Sequence, residues 1–386
     1  MRWDVDFIDV NAEEGWPQDT PIGIRRYLSE LVCKTPQAFV DNVEGVVARV
    51  MRVGDQVLPV MVCDGKGGIA SILSPYGHHI CYPVEEIARE SPYLSVRLLH
   101  AFLSPLTLLL RAGSLDRVVM INHWLLSGSP EPNLPDQAWP EVLAFLSKRY
   151  PEHAIVLQDL KPDLSPNTAT VLSDVGAVLI PSRLVHIVNP ADPLEGSKNK
   201  GKRYKRNLAR RQYLAGLAEE ASEQEITVQS QRLCALYRAS NVARHSALNP
   251  QYTQAFFELA AGCAEFSYRA WVRPGNAQIA AFNLQRLDNR FIHWSTFGVD
   301  PATPNPVDQN HSYYERAAST DLALAEETGL LLDWGGGAAE FKKLRGATEY
   351  VQYEAVIAEH LGWLSRLAWL ILARLRTLRL HQLGRG

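Results

Sequence analysis

Hydrophobic residues recur in two β-rich blocks, one in each half of the 386-residue chain. From Gly45, runs rich in Val and Ile are separated by a turn at Gly54, and from Phe266 similar runs are separated by a turn at Asp288. A helical stretch and a further strand follow each block; these strands are Val118–Asn122 and Gly329–Trp334. The pattern predicts an internal duplication of an antiparallel meander followed by a helix–strand unit, although many α/β chains show a similar order of elements.

The length favours two domains, because 386 residues exceed one typical core of 100 to 200 residues. A Pro- and Gly-containing connection at Pro190, Pro193 and Gly196 places the boundary near residue 180. The expected division is 1–180, 181–360 and a separate basic amphipathic helix over 361–386. The expected fold class is α/β, with two mixed, mostly antiparallel sheets flanked by helices.

The last 26 residues, 361–386, contain no acidic side chain. Their arginines alternate with Leu, Trp and Ile at helical spacing; they are Arg366, Arg374, Arg376, Arg379 and Arg385. Such a helix can pack on its own domain, form a dimer, dock on another protein or lie on a membrane surface. All of these alternatives stay open from the sequence.

A second apolar stretch, 93–110, is interrupted by Arg97, His100 and Pro105. It is too short and too interrupted for a transmembrane helix, and we expect a buried helix pair there. Asp4 and Asp6 near the N-terminus do not fit a secretory signal, so the expected location is the cytoplasm.

Composition excludes several classes of protein. The net charge of -3 gives no overall field for nucleic acid or anionic lipid, so any such attraction must be local. The five cysteines are scattered and form no CxxC pair, which argues against a structural zinc site or a disulfide framework. We therefore expect no metal. The adjacent pair His78 and His79 lacks a carboxylate at a fixed offset in the sequence.

The segment 330–346 carries the strongest chemical signal. An apolar strand delivers Asp333, the three glycines 335–337 follow, and Lys342 lies on the next helix or turn. The glycines permit a tight turn and leave room for a ligand. The segment matches neither a phosphate-binding GKS or GKT loop nor a dinucleotide-binding GxGxxG turn.

The pattern D-x-G-x-G, then Lys nine residues and Gly thirteen residues after the Asp, resembles the end of Fem-type and cellulose-biosynthesis-type acetyltransferase domains of the GNAT superfamily. It is formed here by Asp333, Gly335, Gly337, Lys342 and Gly346. The cationic helix start that includes Lys202, Arg203 and Arg206, and Leu236-Tyr237 before Phe256-Phe257, are similar to the same domains. The resemblance covers about 180–360, and in the first half it depends on strand order and on the segment 74–77.

The resemblance implies direct attack of an amine on an activated acyl carbonyl, without a covalent enzyme intermediate. This chemistry needs a proton acceptor, a backbone N–H for the oxyanion and an acid for the leaving group. The catalytic candidates are Lys342, Tyr313, Tyr314, His293 and Glu340. The substrate-binding candidates are Asp333, Gly335, Gly337, Tyr76, His78, His79, Lys202, Arg203 and Arg206. Structural alternatives remain: His293 can face outward, the tyrosines can be core residues, and Asp333 can cap a turn.

The acyl donor is open. The pyrophosphate-binding loop of ordinary GNAT enzymes does not appear after Phe297 or Asn122, and Fem-like relatives that use aminoacyl-tRNA also lack it. The eight cations in 198–211 form either an RNA or phosphate site or a solvated helix start. The expected co-substrate is therefore aminoacyl-tRNA or acyl-CoA, with no permanently bound cofactor.

The function predicted from the sequence is N-acyl transfer to an amine of a small metabolite, peptide or sugar. The alternative is a non-catalytic, membrane-peripheral accessory protein of polymer or lipid synthesis, anchored by 361–386. The sequence analysis also predicts that Lys342→Ala abolishes turnover and leaves thermal unfolding nearly unchanged.

Overall fold

The computed structural model describes residues 3–66, 70–90, 95–98, 103–191, 220–272, 277–301 and 313–383. The chain forms two compact units: the first unit comprises Met1–Arg183, Ser246–Gln251 and Val351–Gly386, and the second unit comprises Leu184–His245 and Tyr252–Tyr350. The boundaries fall within two strands, β6 (Val178–Val188) and β11 (Thr348–Ile357). The predicted division into GNAT-like domains 1–180 and 181–360 with a separate tail stays a prediction.

The first unit is a mixed sheet with helices. Its other strands are β1 Val5–Phe7, β2 Val46–Val53, β3 Gln56–Asp64, β4 Arg117–Ile121 and β5 Ala154–Leu160. Its helices are α1 Ile22–Lys34, α2 Tyr82–Glu90, α3 Ser104–Ala112, α4 Trp139–Arg149, α5 Pro166–Asp174 and α11 Trp363–Leu383. The strand order is β1-β2-β3-β4-β5-β11, in which β4 and β5 are parallel and the other neighbours are antiparallel.

The core of the first unit lies where the sheet meets α4. Trp139 and Leu146 on one face of α4 are fully buried, and they pack with Val60, Val119 and Ile155 from the sheet. The β4 and β5 sequences are nearly continuous apolar runs, which is the pattern expected for strands covered on both faces. Burial of these side chains is therefore the main force that orders the unit.

The second unit repeats part of this plan. Its strands are β7 Phe266–Val272, β8 Ile279–Leu287, β9 Phe291–Val299 and β10 Leu331–Asp333, and its helices are α6 Glu223–Val228, α7 Ser230–Tyr237, α8 Gln254–Ala261, α9 Tyr313–Thr328 and α10 Ala339–Lys343. The strand order is β6-β10-β9-β8-β7, in which only the described pair β9–β10 is parallel.

Both units thus contain three consecutive antiparallel strands, a crossover helix and a parallel strand. In the first unit these are β2, β3, β4, α4 and β5, and in the second they are β7, β8, β9, α9 and β10. The mixed, mostly antiparallel α/β class is confirmed. One assignment differs: the segment predicted as the strand after the helix in the first half, Val118–Asn122, is the third strand of the meander, and β5 is the strand after the crossover.

The apolar stretch 93–110 differs from the expected buried helix pair. The described part contains α3, where Leu108 is 70% exposed, and Leu98 is 61% exposed. Among the described residues, no helix is both long enough and apolar enough to cross a bilayer. The described part of the stretch therefore contributes apolar surface in addition to the fully buried Leu110.

Gly298 lies where α7 approaches β9 closely, so a substitution at this position tests the packing of the two elements. A Cβ at Gly298 would overlap the Phe282 ring and lie 2.9 Å from the Tyr237 backbone nitrogen. Because a backbone atom cannot move away cheaply, we expect Gly298→Ala to lower the unfolding free energy by about 1–3 kcal/mol. Gly362→Ala, whose Cβ would meet no atom within 4 Å, is the matched control. Calorimetric unfolding of both variants measures the effect, and equal midpoints would contradict this packing.

Candidate active site

The second unit has a strand divergence next to its parallel pair. Strands β9 and β10 are paired only over residues 291–293 and 331–333. Strand β10 ends at Asp333, whereas β9 continues to Val299. Ligands of α/β proteins bind outside the carboxyl ends of parallel strands, where neighbouring chains separate. The end of β10 is therefore the natural place for a site in this unit.

A β-bulge lies in β9 at this divergence. The register against β8 moves from Leu284 opposite Thr296 to Gln285 opposite Trp294, which leaves Ser295 as the extra residue. Bulges re-aim backbone and side-chain groups and are frequent beside active sites. Ser295 is buried and lies two residues after His293, the last residue of β9 that pairs with β10.

Polar side chains of the π-helical turn Arg238–Ala243 bind β9 beyond the bulge. Asn241 Nδ2 donates to the carbonyl oxygen of Phe297 at 2.7 Å. Ser240 Oγ donates to the Val299 carbonyl at 3.0 Å and accepts the Val299 N–H at 2.8 Å. Ser295 thus lies in a short interval between a stretch held by β10 and a stretch held by this turn.

His293 lies between two carboxylates. Its Nε2 is 3.0 Å from Asp288 Oδ2, and its Nδ1 is 3.7 Å from Asp333 Oδ2. Burial alone would lower the pKa of His293, but the hydrogen bonds to the two carboxylates outweigh it and raise the pKa. Asp288 shows the opposite balance: burial raises its pKa, and the hydrogen bond with His293 lowers it below the usual value. His293 therefore faces inward and fixes Asp333 at the end of β10.

The glycine loop after Asp333 requires glycine for its backbone conformation. Gly335 and Gly337 have φ values of 64° and 71°, and a Cβ at either position would meet no atom within 4 Å. The loop is therefore open on the side of these two glycines, and positive φ is what selects them. Asp333 Oδ1 accepts the Gly335 N–H at 2.8 Å, which joins the carboxylate to the loop.

Lys342 holds the same loop from α10. Its ammonium donates to the carbonyl oxygens of Trp334, Gly335 and Gly336 at 2.7, 3.2 and 2.6 Å. The Lys342 side chain is only 2% exposed. These contacts show that the Lys342 ammonium positions the loop. The catalytic role predicted for Lys342 stays a prediction.

The other catalytic candidates of the second unit differ in their surroundings. Tyr314 packs against Trp294 and Phe341, with ring centroids 5.3 and 5.0 Å apart, and burial raises the pKa of its phenol to about 12. Tyr313 precedes it at the start of α9, and its ring stacks with the Arg316 guanidinium at 5.2 Å. Glu340 is exposed at the start of α10. The structure thus places Tyr314 beside β9 and leaves Glu340 in solvent.

A buried acid of α9 was missed by the sequence analysis. Asp321 Oδ1 accepts from Asn283 Nδ2 at 2.9 Å and from Gln285 Nε2, and Asp321 Oδ2 accepts from Trp334 Nε1 at 3.3 Å. Burial raises the pKa of Asp321 well above its ordinary value. The available signal was the polar pair Asn283 and Gln285 within the apolar β8 sequence.

The first unit gathers its own polar cluster, around the predicted His78 and His79. Both lie on the π-helical turn Gly77–Cys81. His78 Nε2 is 2.8 Å from Ser182 Oγ, and His79 Nε2 is 2.9 Å from Glu354 Oε2. Burial, with a smaller contribution from the nearby His79, lowers the pKa of His78 to about 3.

Glu354 is the charged centre of this cluster. It lies on β11 opposite a bulge in β5, where Asp159 has a φ of 64°. Gln158 Nε2 donates to its Oε1 at 3.3 Å. Burial would raise the pKa of Glu354, but the contact with His79 lowers it to about 2. The sequence analysis missed Glu354 because 275 positions separate it from His79, although a Glu within an apolar strand was a usable signal.

The cluster of His78, His79 and Glu354 can present three metal-ligand atoms within 4.8 Å of one another. Two imidazoles and a carboxylate are a ligand set that zinc accepts. The Glu354 oxygens already accept bonds from His79 and Gln158, so a cation would have to replace the contact with His79. The expectation of no metal stays a prediction.

The remaining predicted residues fall elsewhere. Tyr76 is buried, donates from its hydroxyl to Thr107 Oγ1 at 3.3 Å and lies under the Arg111 guanidinium, so its described contacts are those of packing. Lys202, Arg203 and Arg206 lie outside the described residues.

Comparison with solved structures gives partial matches at low identity. FemX is 10% identical with a TM-score of 0.47, covering 85% of this chain and 91% of that chain. A tandem GNAT protein from the clavulanic acid biosynthesis pathway is 10% identical with a TM-score of 0.35, covering 92% and 98%. L-PGS from Bacillus licheniformis is 9% identical with a TM-score of 0.42, covering 66% and 81%. No protein-family model and no curated protein matches the chain.

The His293 ion pair predicts a pH-dependent stability. Because its folded-state pKa is raised above 6.5, its contribution is complete below that pH and is lost as pH rises through the folded-state pKa. Asp288→Asn keeps the Oδ1 acceptor for the Arg290 and Phe291 amides but removes the charge. We expect it to destabilise the protein more at about pH 6 than at about pH 9. Chemical unfolding at both values measures this.

Asp55→Asn is the control for the Asp288 variant, because Asp55 is an exposed aspartate in the β2–β3 turn. It makes the same change of charge without a histidine partner. If the two variants show the same dependence on pH, the ion pair of His293 does not contribute to stability.

The sequence analysis predicted that loss of the Lys342 side chain leaves thermal unfolding nearly unchanged. Because the ammonium is buried and holds the loop, we now expect its loss to destabilise the protein. Lys342→Met would remove this donor from the Trp334 and Gly336 carbonyl oxygens, while the Gly335 carbonyl would keep the His186 N–H at 3.1 Å. We expect this loss to cost about 2–4 kcal/mol of unfolding free energy. Lys343→Met is a control on the adjacent residue, whose ammonium pairs with Glu349 at the surface and contributes about 0–1 kcal/mol. Calorimetric midpoints that fall equally in both variants would contradict the loop-holding role.

Proposed function

We propose that this protein is an N-acyltransferase that moves an acyl or aminoacyl group directly onto an amine. The observation that carries the proposal is the bulge at Ser295, at the point where β9 loses its partner β10. A strand edge without a partner offers backbone N–H and C=O groups to an extended ligand. An acyl group that enters this gap meets Asp333 and the open glycine loop.

The proposed chemistry needs few groups. The amine nitrogen attacks the acyl carbonyl, a backbone N–H at the Ser295 bulge stabilises the oxyanion, and the bond to the donor's sulfur or oxygen breaks. Asp333, held by His293, accepts the proton that the ammonium loses, directly or through water. Tyr314 donates a proton to the leaving group, because a phenol with a pKa of about 12 is fully protonated at neutral pH. The nitrogen of the tetrahedral intermediate loses a second proton as the amide forms, and this proton restores the Tyr314 phenol, directly or through water.

Two donors are compatible with this scheme. An aminoacyl-tRNA would add phosphate contacts, for which the cationic residues Lys202, Arg203 and Arg206 are the proposed partners. Its binding would then weaken steeply as salt rises. An acyl-CoA would bring its own amide-containing arm to the part of β9 between His293, where the pairing with β10 ends, and Phe297, whose carbonyl Asn241 binds. The amine acceptor is a small metabolite, a peptide or a sugar.

A second candidate function is a non-catalytic, membrane-peripheral accessory protein. The observation that favours it is the exposed apolar side of α11, described below. Such a protein would bind neither donor. Donor binding therefore separates the two proposals without knowledge of the acceptor.

The test is donor consumption by the full-length chain. Acyl-CoAs of several lengths and a pool of charged tRNA are incubated with a set of amines, and amide products are detected by mass spectrometry. We expect one donor class to be consumed and Tyr314→Phe to lower kcat by about 100-fold with an unchanged melting temperature. Tyr150→Phe, at the end of α4 in the first unit, is the control.

Two results would reject the proposal. The first is that neither donor binds by calorimetry or mobility shift and that no amide product forms. The second is full activity of Asp333→Asn together with Tyr314→Phe, because the scheme assigns the two proton transfers to these side chains.

A further inference from the structure

The C-terminal helix α11 is attached to the first unit by one of its sides. Ala368, Trp369 and Leu372 are buried. Gly113, at the end of α3, allows this contact, because a Cβ there would overlap the Ala368 side chain. Arg376 turns inward and donates from Nε to the carbonyl oxygen of Pro181 at 3.0 Å. The rotation of the helix about its axis is therefore fixed.

The opposite side of α11 is apolar and exposed. Trp363, Leu367, Leu370 and Leu378 are 71, 39, 54 and 54% exposed. Their spacing of four, three and eight residues places them in one stripe about 22 Å long, at 1.5 Å per residue. A contiguous exposed stripe of large apolar side chains marks an interaction surface in most proteins.

Cations accompany this stripe, and the helix itself carries no acidic residue. Arg374 continues the stripe between Leu370 and Leu378, Arg366 flanks it, and both are exposed. The sequence 361–386 contains five arginines and no Asp or Glu. The exposed side of the helix therefore combines apolar area with positive charge.

This combination favours an anionic lipid surface over a second copy of the chain. Two copies of α11 packed through the stripe would bring Arg366 and Arg374 near their counterparts without acidic partners from the helix, which is unfavourable. An interfacial helix instead buries its Leu and Trp side chains at the boundary of headgroups and acyl chains while its arginines reach anionic headgroups. Leu108, exposed on the adjoining α3, adds apolar area in the same unit.

We propose that the protein binds anionic membranes peripherally, with the side of α11 that carries Trp363, Leu367, Leu370 and Leu378 lying in the lipid interface. The helix lies on the bilayer, since no described helix is able to cross it. This inference stands independently of the proposed transferase activity. It also assigns the membrane contact to particular side chains and not to the basic tail as a whole.

The test is co-sedimentation of the full-length protein with vesicles of phosphatidylcholine alone or with added phosphatidylglycerol. We expect binding to the anionic vesicles, a decrease of at least about tenfold in the partition coefficient for Leu367→Glu/Leu370→Glu, and weaker binding at high salt. Val228→Glu, an 81% exposed position on α6, is the matched control and should bind as the unmodified protein does. Circular dichroism and the melting temperature verify that each variant is folded.

A second variant, Arg366→Gln/Arg374→Gln, separates charge from apolar contact, and we expect it to lose the preference for anionic vesicles. Three results would overturn the proposal: no binding of the unmodified protein, equal binding to both vesicle types, or equal binding of the Leu367→Glu/Leu370→Glu variant. A concentration-dependent dimer in ultracentrifugation that this variant abolishes, without vesicle binding, would assign the stripe to a second copy instead. Donor consumption by the same variant in solution should be unchanged, so failure here is distinguishable from failure of the transferase proposal.

Discussion

The candidate site of the second unit depends on one buried ammonium. The turn after β10 has positive φ at Gly335 and Gly337, and its carbonyl groups need hydrogen-bond donors, of which the His186 N–H serves Gly335 at 3.1 Å. Lys342 donates to three of them in succession. Because Asp333 accepts an N–H from the same loop, this contact also sets where the carboxylate lies next to His293. A charged side chain thus holds the loop backbone, and the loop backbone in turn holds the Asp333 carboxylate.

Local patterns in the sequence were sufficient for part of this arrangement. The strand–glycine–lysine segment indicated the loop, and the repeated order of strands and turns indicated the mixed sheet. In both cases the signal lies within about 20 consecutive residues, where turn chemistry and periodicity act directly. His293, Asp333, Gly335 and Lys342 were selected on this basis, and the structure brings them together, although their roles stay predictions.

The rest required tertiary information. Glu354 meets His79 only because β11 returns to pair with β5, and no local pattern indicates a pairing over that separation. The bulge at Ser295 is a property of the register between β8 and β9, which composition does not specify. Asp321 lies within an ordinary helical sequence, and only the folded structure shows that burial raises the pKa of its carboxyl well above the usual value. The fold brings the side chains of such buried polar networks together from distant parts of the sequence. A single sequence can therefore indicate one side chain of a pair, such as His79, and miss the side chain that it contacts, such as Glu354.

The two units share a strand plan but differ in how they use it. Each interrupts a ladder with a bulge near its parallel pair, at Asp159 in the first unit and at Ser295 in the second. In the first unit the bulge faces Glu354, which lies 2.9 Å from His79 Nε2. In the second it lies beside Asp333 and the open glycine loop. Repetition of a backbone plan therefore does not repeat its polar groups, because the side chains at equivalent positions differ between the two units.

Side-chain contacts also decide which side of α11 is buried. A helix with large apolar side chains on two sides can bury only one of them against a single unit, and here the choice is made by polar and steric contacts. Arg376 needs the Pro181 carbonyl, and Ala368 needs the space that Gly113 leaves. Rotating the helix to cover Leu367 and Leu370 would break both contacts and expose Trp369. The outward stripe is consequently a fixed feature of the folded chain, and its apolar area is stabilised only by something outside the unit.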